Sequence, residues 1–308
     1  MSFKEYQAER EKSKGRQKPF RKSGGSSRGS SSRGFNRDSN RNSRSGSGRS
    51  FGGNSSGSSR GRFSDRKFSR DKPRFDPNLK EQFTPIKFSN TYLDIKRRGV
   101  DLFTKNLTPG ISFFGERTFH KNVNGENVEL RNWEYKRSKL GSAIVLKVSQ
   151  LGLKEGAKVL YLGASHGFTP SFVSDMVGPD GFVFCLDFAP RVVRDLYLLC
   201  QKRNNMAPII ADANAPETYE KLIPEVDVIF MDIAQRDQVG IFLKNIKFLK
   251  EGGFGLLALK ARSVDVTKNP KDVFKIARAE LEEHLMIVDY KELDPYEKDH
   301  CFFVCKKK

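Results

Sequence analysis

Five near-continuous apolar stretches recur between residues 158 and 260, and amphipathic segments with helical spacing separate them. The apolar stretches are KVLYL, FVFCLDF, APIIADA, VDVIFMDI and GFGLLALK. A strand that is apolar along its whole length must be buried on both faces, as in parallel sheets covered by helices. The sequence therefore predicts a doubly wound, Rossmann-like α/β fold. Two further stretches, LMIVDYKEL and HCFFVCK, complete a mostly parallel sheet of seven strands, with the last antiparallel at or near the edge.

The segment before the α/β region has a different pattern. Residues 81–135 contain short extended stretches, TYLDI and ISFFGERTF, and the hairpin signal Asn124-Gly125. They predict a small β subdomain. The α/β domain is expected over residues 136–308. Its first helix should be capped by Ser138 and run to about Gln150.

Residues 1–80 form an arm dominated by Ser, Gly and Arg. With few aliphatic side chains to bury, the arm is expected to be disordered. Residues 1–75 carry 21 Lys and Arg against 6 Asp and Glu, a net charge of +15, which leaves +4 of the total +19 for residues 76–308. Arginine, glycine and phenylalanine alternate in Arg60-Gly61-Arg62-Phe63, a composition that favours sequence-tolerant RNA binding. The alternative is a solubilising linker without a defined ligand.

The sequence lacks the signals that are typical of membrane-spanning and secreted proteins. The sequence has no apolar run of about 18 residues and its N-terminus is charged, so neither a membrane span nor a secretory signal is expected. The four cysteines, at positions 185, 200, 301 and 305, lack C-x-x-C spacing. They are interpreted as buried thiols of a reducing compartment, with no metal site.

The turn after KVLYL admits two kinds of chemistry. Gly163 to Gly167 reads G-A-S-H-G, which matches the G-x-S-x-G nucleophile elbow of hydrolases and is also typical of a cofactor-binding turn. A nucleophile elbow should follow several strands and precede an acid and a histidine on separate loops, whereas this turn follows the first α/β strand. Ser165 is therefore interpreted as a turn residue. The turn also lacks G-x-G-x-x-G, which disfavours a dinucleotide.

Acidic residues end three of the strands. Asp187, 24 positions beyond Gly163, suits the two hydroxyls of a ribose, and Asp212-Ala213 would then lie beside an adenine. Asp232 ends a third strand. A cofactor with a ribose and an adenine but no pyrophosphate fits S-adenosylmethionine, which we therefore predict as the ligand.

Several uncommon strings occur in an order that resembles the fibrillarin family of RNA 2′-O-methyltransferases across about residues 86–308. They are TKNLTPG (104–110), RSKL (137–140), KVLYLGA (158–164), VSDMVGPDG (173–181), VDVIFMDIAQ (226–235) and PYEKDH (295–300). The arm is similar to that of eukaryotic members. The resemblance implies an S-adenosylmethionine-dependent methyltransferase with a cofactor site formed by Gly163, Ala164, Phe168, Thr169, Asp187, Phe188, Asp212, Ala213, Asp232, Ile233, Ala234 and Gln235. Phe168 departs from the family, which has a threonine there.

The same resemblance implies a catalytic set of Lys139, Asp232, Lys260 and His300. The residues alone also favour Lys260, because an amine that ends an apolar strand in a crevice is partly desolvated, which lowers its pKa toward the range of a general base. In this scheme Asp232 orients Lys260, Lys139 holds the target ribose or its phosphate, and His300 completes the polar wall.

The family's partners extend the prediction. The resemblance implies box C/D guide RNA and ribosomal RNA, a coiled-coil Nop-type scaffold protein, a kink-turn RNA-binding protein, and a location in the nucleus and nucleolus. Histone glutamine is a second substrate of eukaryotic members, and the residues do not distinguish it. The alternative function is a non-catalytic RNA-binding scaffold of a nucleolar ribonucleoprotein, which binding of S-adenosylmethionine would disfavour.

Overall fold

The computed structural model of the chain describes residues 83–97, 99–123 and 125–308, all within one compact unit. The predicted arm, residues 1–80, and Asn124 of the predicted hairpin lie outside the described residues. No helix in these ranges is long and apolar enough to cross a membrane.

A small antiparallel sheet comes first in the chain. Its strands are β1 (Phe83–Pro85), β2 (Thr91–Lys96), β3 (Gly99–Lys105), β4 (Thr118–Val123) and β5 (Glu126–Trp133), in the order β1-β2-β3-β5-β4. Val123 opposes Glu126, which leaves two residues for the turn, as the hairpin signal predicts. The expected extended conformation from Ile111 is wrong, since a strand begins only at Thr118. Glu116 accepts hydrogen bonds from Ser112 Oγ (2.9 Å) and the Phe114 N–H (2.8 Å), which shape this segment as a loop.

The two faces of the small sheet bury different neighbours. Leu102 and Trp133 oppose each other and pack into the core of the α/β domain, where Trp133 stacks on Phe172 with ring centroids 4.6 Å apart. On the other face, Phe103 and Leu130 belong to a separate cluster. Successive residues of a strand point to opposite faces, so neighbouring Leu102 and Phe103 serve different cores.

Six α-helices follow the small sheet: α1 (Lys139–Val145), α2 (Phe168–Val177), α3 (Pro190–Cys200), α4 (Gln238–Asn245), α5 (Ala261–Val264) and α6 (Pro270–His284). Helix α1 begins after Ser138, whose Oγ accepts from the Gly141 N–H at 3.2 Å, as expected of a cap. The expectation that it runs to Gln150 is wrong. Lys147 adopts φ 61° and the Val148 N–H donates to the Ala143 carbonyl at 3.0 Å, which ends the helix and turns Val148 into the core.

Seven strands form the large sheet: β6 (Lys158–Leu162), β7 (Phe182–Asp187), β8 (Met206–Ile210), β9 (Val226–Met231), β10 (Leu249–Lys260), β11 (Leu285–Glu292) and β12 (His300–Lys307). Their order is β11-β12-β10-β9-β6-β7-β8, and β12 runs antiparallel to both neighbours. The predicted mostly parallel sheet of seven strands is confirmed, with β12 one position in from the edge. The strand order reverses beside β6, which places a ligand crevice at its carboxyl end.

A buried ionic network joins the small sheet to helix α2. The Asp175 carboxylate of α2 has no exposed surface and accepts from Arg203 Nη1 (2.7 Å) and Thr104 Oγ1 (2.7 Å). Arg131 of β5 lies 3.6 Å from the same carboxylate, and its Nη2 donates to Ser171 Oγ at 2.8 Å. Thr104 and Arg131 belong to the small sheet, so the network fastens that sheet to α2.

We expect Asp175→Ala to destabilise the chain by about 3–5 kcal/mol, because it leaves buried arginine charge without its carboxylate partner. Chemical denaturation measures the loss. The control is Glu220→Ala, which breaks an exposed pair with Lys247 and should cost less than about 1 kcal/mol. Equal losses in the two variants would contradict a structural role for the network.

Candidate active site

The turn at the carboxyl end of β6 brings two loops together. Gly163 has φ 85°, and a Cβ there would overlap the Asp232 carbonyl oxygen. The N–H groups of Gly163 and Ala164 both donate to the Leu186 carbonyl at 2.9 Å. Only a residue without a side chain permits this approach, so the glycine sets the distance between the β6 turn and the loop after β9.

The next residues of the turn argue against the hydrolase alternative. Ser165 Oγ lies 3.1 Å from His166 Nδ1, and His166 Nε2 lies 3.7 Å from the Asp195 carboxylate. In a catalytic triad the serine contacts Nε2 and the acid contacts Nδ1, so this order is reversed. The imidazole is half exposed, so His166 is a surface residue of the turn.

The Asp187 carboxylate, at the end of β7, can accept hydrogen bonds from hydroxyl groups. One carboxylate oxygen accepts from the Ser165 N–H (2.8 Å) and the other from the Ala189 N–H (3.0 Å). A carboxylate has about four acceptor positions, so two remain for the hydroxyls of a ribose. The adjacent Phe188 side chain is 66% exposed and offers a flat apolar face beside them.

The Asp212-Ala213 segment is held by residues that the sequence reasoning missed. Asn245 Nδ2 donates to the Ala213 carbonyl at 2.9 Å, and the Tyr219 hydroxyl contacts Asn245 Oδ1. All three residues are buried, whereas Asp212 is exposed and accepts from the Asn214 N–H at 2.9 Å. An asparagine four residues after Ile241 on the amphipathic helix α4 is the sequence signal for such a buried contact.

Phe168 and Thr169 begin α2 and point to different surroundings. The Phe168 ring lies 5.2 Å from the Phe114 ring, and the Arg137 guanidinium lies 4.5 Å from its centroid. Phe168 therefore packs toward the small sheet, and its contact with a cofactor stays a prediction. Thr169 is buried, and its hydroxyl donates to Ser138 Oγ at 3.0 Å, which links the cofactor turn to the cap of α1.

The loop after β9, Asp232 to Gln235, is tied to β10 through a side chain that the sequence reasoning missed. Buried Gln238 donates to the Gln235 carbonyl (2.9 Å) and the Lys260 carbonyl (3.1 Å) and accepts from the Lys260 N–H (3.0 Å). Ile233 is partly buried and Ala234 is exposed within the same loop. Gln238 thus fixes the backbone of Lys260 against the predicted cofactor loop.

The structure brings the four predicted catalytic residues to one edge of the sheet, with one unexpected pairing. The Asp232 carboxylate lies 3.0 Å from Lys139 Nζ, and both side chains are about one-fifth exposed (21% and 22%). The sequence reasoning expected Asp232 to orient Lys260. In the structure its ion-pair partner is Lys139, delivered by the N-terminus of α1 from 93 positions away in the sequence.

Lys260 and His300 oppose each other on β10 and β12, so their side chains project from the same face of the sheet. His300 is buried, and its Nδ1 lies 2.7 Å from the Lys298 carbonyl. Burial lowers the pKa of His300 below its usual 6.5, and the Lys139 ammonium lowers it further. The Lys298 carbonyl and the Asp232 carboxylate oppose this shift without cancelling it.

The four cysteines are buried and free. Burial raises the pKa of the Cys185 thiol well above its usual value and that of Cys305 to about 12, so neither is a thiolate near neutral pH. Within the ranges that the structure describes, no three His, Cys, Asp or Glu side chains are grouped as metal ligands.

The site fits S-adenosylmethionine. A glycine cradle, a ribose-accepting carboxylate and an exposed aromatic face follow successive parallel strands at the point where the strand order reverses. Together with the sheet topology, they define a Rossmann-like, S-adenosylmethionine-dependent methyltransferase.

Comparison with known proteins gives the family. The family described as Fibrillarin matches residues 84–308, and the chain belongs to it. It is 46% identical over 223 residues to the fibrillarin-like rRNA/tRNA 2′-O-methyltransferase of Thermococcus onnurineus, which covers 72% of this chain and 97% of that protein.

Solved structures agree with this assignment. One is Aeropyrum pernix fibrillarin with natively bound S-adenosyl-L-methionine, at 38% identity and a TM-score of 0.65, covering 73% of this chain and 97% of that one. Another is a fibrillarin/Nop5p complex, at 34% identity and a TM-score of 0.59, covering 68% of this chain and 94% of that one.

We expect Gly163→Ala to abolish binding of S-adenosylmethionine, because the added Cβ displaces the Asp232 backbone. Isothermal titration calorimetry measures the affinity. Gly156→Ala is a matched control, since Gly156 also has positive φ (77°) but a Cβ there would meet nothing within 4 Å. It should lose stability and retain affinity, and equal losses of affinity would show that backbone strain, not the overlap, is responsible.

A second prediction concerns pH. Because the pKa of His300 is lower in the folded chain than in the unfolded one, the folded state binds fewer protons. The contribution of His300 to stability is therefore complete above pH 6.5 and is lost as the pH falls below that value. Denaturation at pH 5 and pH 7 should show a smaller difference in His300→Gln than in the wild type. His284→Gln, at an exposed position, should keep the full difference.

Proposed function

We propose that the chain is an S-adenosylmethionine-dependent RNA 2′-O-ribose methyltransferase. The observation that carries the proposal is the convergence of Lys139, Asp232, Lys260 and His300 beside a turn that fits the cofactor. The relatives named as 2′-O-methyltransferases support the choice of a ribose hydroxyl as the methyl acceptor.

Lys260 is the residue best placed to accept the proton of the ribose hydroxyl at Nζ. When bound, S-adenosylmethionine supplies the methyl group as an electrophilic sulfonium. Within the part of the chain that the structure describes, no carboxylate lies within 4 Å of Lys260 Nζ, whereas Asp232 pairs with Lys139. Lys139 is engaged by that carboxylate, so Lys260 is the lysine whose amine is left to face the ribose hydroxyl.

Lys139 and His300 have positioning roles in this scheme. The ion pair with Asp232 holds Lys139 Nζ at the edge of the site, where it can donate to a ribose or phosphate oxygen of the RNA. The lowered pKa keeps His300 neutral near pH 7. Donation from Nδ1 to the Lys298 carbonyl then leaves Nε2 as an acceptor for a hydroxyl group.

The proposed assembly is a box C/D ribonucleoprotein acting on precursor ribosomal RNA. The relative solved with Nop5p supports a Nop-type scaffold protein as partner, for which we propose the coiled-coil kind. Guide RNA and a kink-turn-binding protein complete the proposal. A net charge of only +4 on residues 76–308 supports a need for such help in holding RNA.

The arm and the location belong to the same proposal. We assign residues 1–80 to an RNA-associating arm, 81–135 to a β subdomain and 136–308 to the methyltransferase domain. The Arg-Gly-Phe composition of the arm and membership of the family support a nucleolar location. A tagged chain excluded from the nucleolus would contradict it.

We expect Lys260→Met to bind S-adenosylmethionine as the wild type does and to lose about 10²- to 10⁴-fold in methyl transfer to guided RNA, the usual contribution of a general base. Single-turnover transfer of a labelled methyl group measures the rate. Lys275→Met, at an exposed position of α6, is the control. Unchanged turnover would refute the role of Lys260, and a wild type that does not bind the cofactor would favour the scaffold alternative.

A further inference from the structure

A cavity of about 330 Å³ lies beside the reaction centre, outside the predicted site. Arg236 and Arg262 line it together with the hydroxyl-bearing residues Ser263 and Thr267. Arg236 directly follows the predicted cofactor loop, and Arg262 is two residues beyond Lys260. The cavity therefore opens next to the place where the ribose hydroxyl must be held.

Arg262 is held in a fixed position. Its Nε donates to the Asp299 carboxylate at 3.2 Å, and its Nη1 donates to the Val266 carbonyl at 3.0 Å. Asp299 directly precedes His300, and the Ala261 N–H donates to the Asp299 carbonyl at 3.0 Å. These contacts fasten the guanidinium to the same strand ends that carry Lys260 and His300, so a ligand on Arg262 has a defined position relative to both.

The charge of the cavity is positive on balance. Asp265 lines it, but its Oδ1 accepts from the Thr267 N–H (2.8 Å) and the Thr267 hydroxyl (2.6 Å), and Lys268 lies 3.7 Å from its other oxygen. Asp299 is engaged by Arg262. Arg236 is exposed, and no carboxylate of a described residue lies within 4 Å of its guanidinium. Two cations, Arg236 and Arg262, thus line the cavity against one engaged carboxylate, that of Asp265.

We infer that this cavity, the arginine cavity, binds a phosphodiester of the target RNA strand adjacent to the ribose that is methylated. The inference rests on the proposed function. Guanidinium groups such as that of Arg236 bind phosphate oxygens through charged hydrogen bonds, and hydroxyl groups such as that of Ser263 commonly add a further contact. A phosphate anchored there sets the register of the strand, so that one ribose hydroxyl lies at Lys260.

The test combines protein variants with a substrate RNA that carries one uncharged methylphosphonate linkage beside the target nucleotide. Arg236→Gln removes the exposed cation, and Arg262→Lys keeps a charge while it removes the guanidinium that Asp299 and the Val266 carbonyl hold in place. We expect each to raise the KM for guided RNA about tenfold, the size of one charged hydrogen bond, with the affinity for S-adenosylmethionine unchanged. Arg278→Gln, an exposed arginine paired with Glu282 outside the cavity, is the matched control and should leave KM unchanged.

The methylphosphonate identifies the source of the phosphate. If the arginine cavity holds the target strand, the modified substrate raises the KM of the wild type. It raises the KM of each variant only a little further, because the protein variant and the methylphosphonate remove the same contact. If the effects of the variants and of the methylphosphonate on KM are fully additive, the cavity holds a different phosphate, such as one of the guide strand, and the inference is wrong. The inference is also wrong if Arg236→Gln and Arg262→Lys leave the KM for guided RNA unchanged, as Arg278→Gln should, while the wild type is active. An inactive wild type would instead count against the proposed function.

Discussion

The burial of one carboxylate, Asp175, constrains the whole arrangement. A charged group without exposed surface persists only when it is paired and fully hydrogen-bonded, and its partners here come from the small sheet as well as from the large domain. Asp175 belongs to α2, the helix that begins at the cofactor turn. The chain passes from the last strand of the small sheet to Lys139 within six residues. The small sheet therefore positions Lys139 relative to the cofactor turn.

The two lysines of the predicted catalytic set differ in their charged partners. Of Lys139 and Lys260, only Lys139 lies within 4 Å of a carboxylate of a described residue, that of Asp232. The proposed function accordingly assigns RNA binding to Lys139 and proton transfer to Lys260. His300 opposes Lys260 across the sheet, and burial lowers its pKa, so it adds no positive charge there near pH 7.

The sequence predicted those structural features that depend on a single local segment. The apolar stretch KVLYL is strand β6 without a shift in its ends, Ser138 caps its helix, and the glycine turn lies at the expected sheet edge. It was uninformative where partners are distant in the chain. The Lys139–Asp232 pair and the bridge made by Gln238 depend on how helices pack against strand ends, which no local pattern encodes. The early end of α1 arises because Val148 gains a buried position, and tertiary burial outweighed helical periodicity.

The positive charges of residues 1–75 and those of the folded part have different proposed roles in binding RNA. Those of residues 1–75 are numerous, and the role proposed for this segment is to raise the local concentration of RNA, not to fix its register. Methyl transfer needs one hydroxyl held to within a fraction of an ångström, and only donors anchored to the sheet provide that precision. Arg262, fastened through Asp299 to the strand that bears His300, is such a donor. Capture and register are therefore separable properties of this chain, and the low net charge of its folded part is compatible with a precise active site.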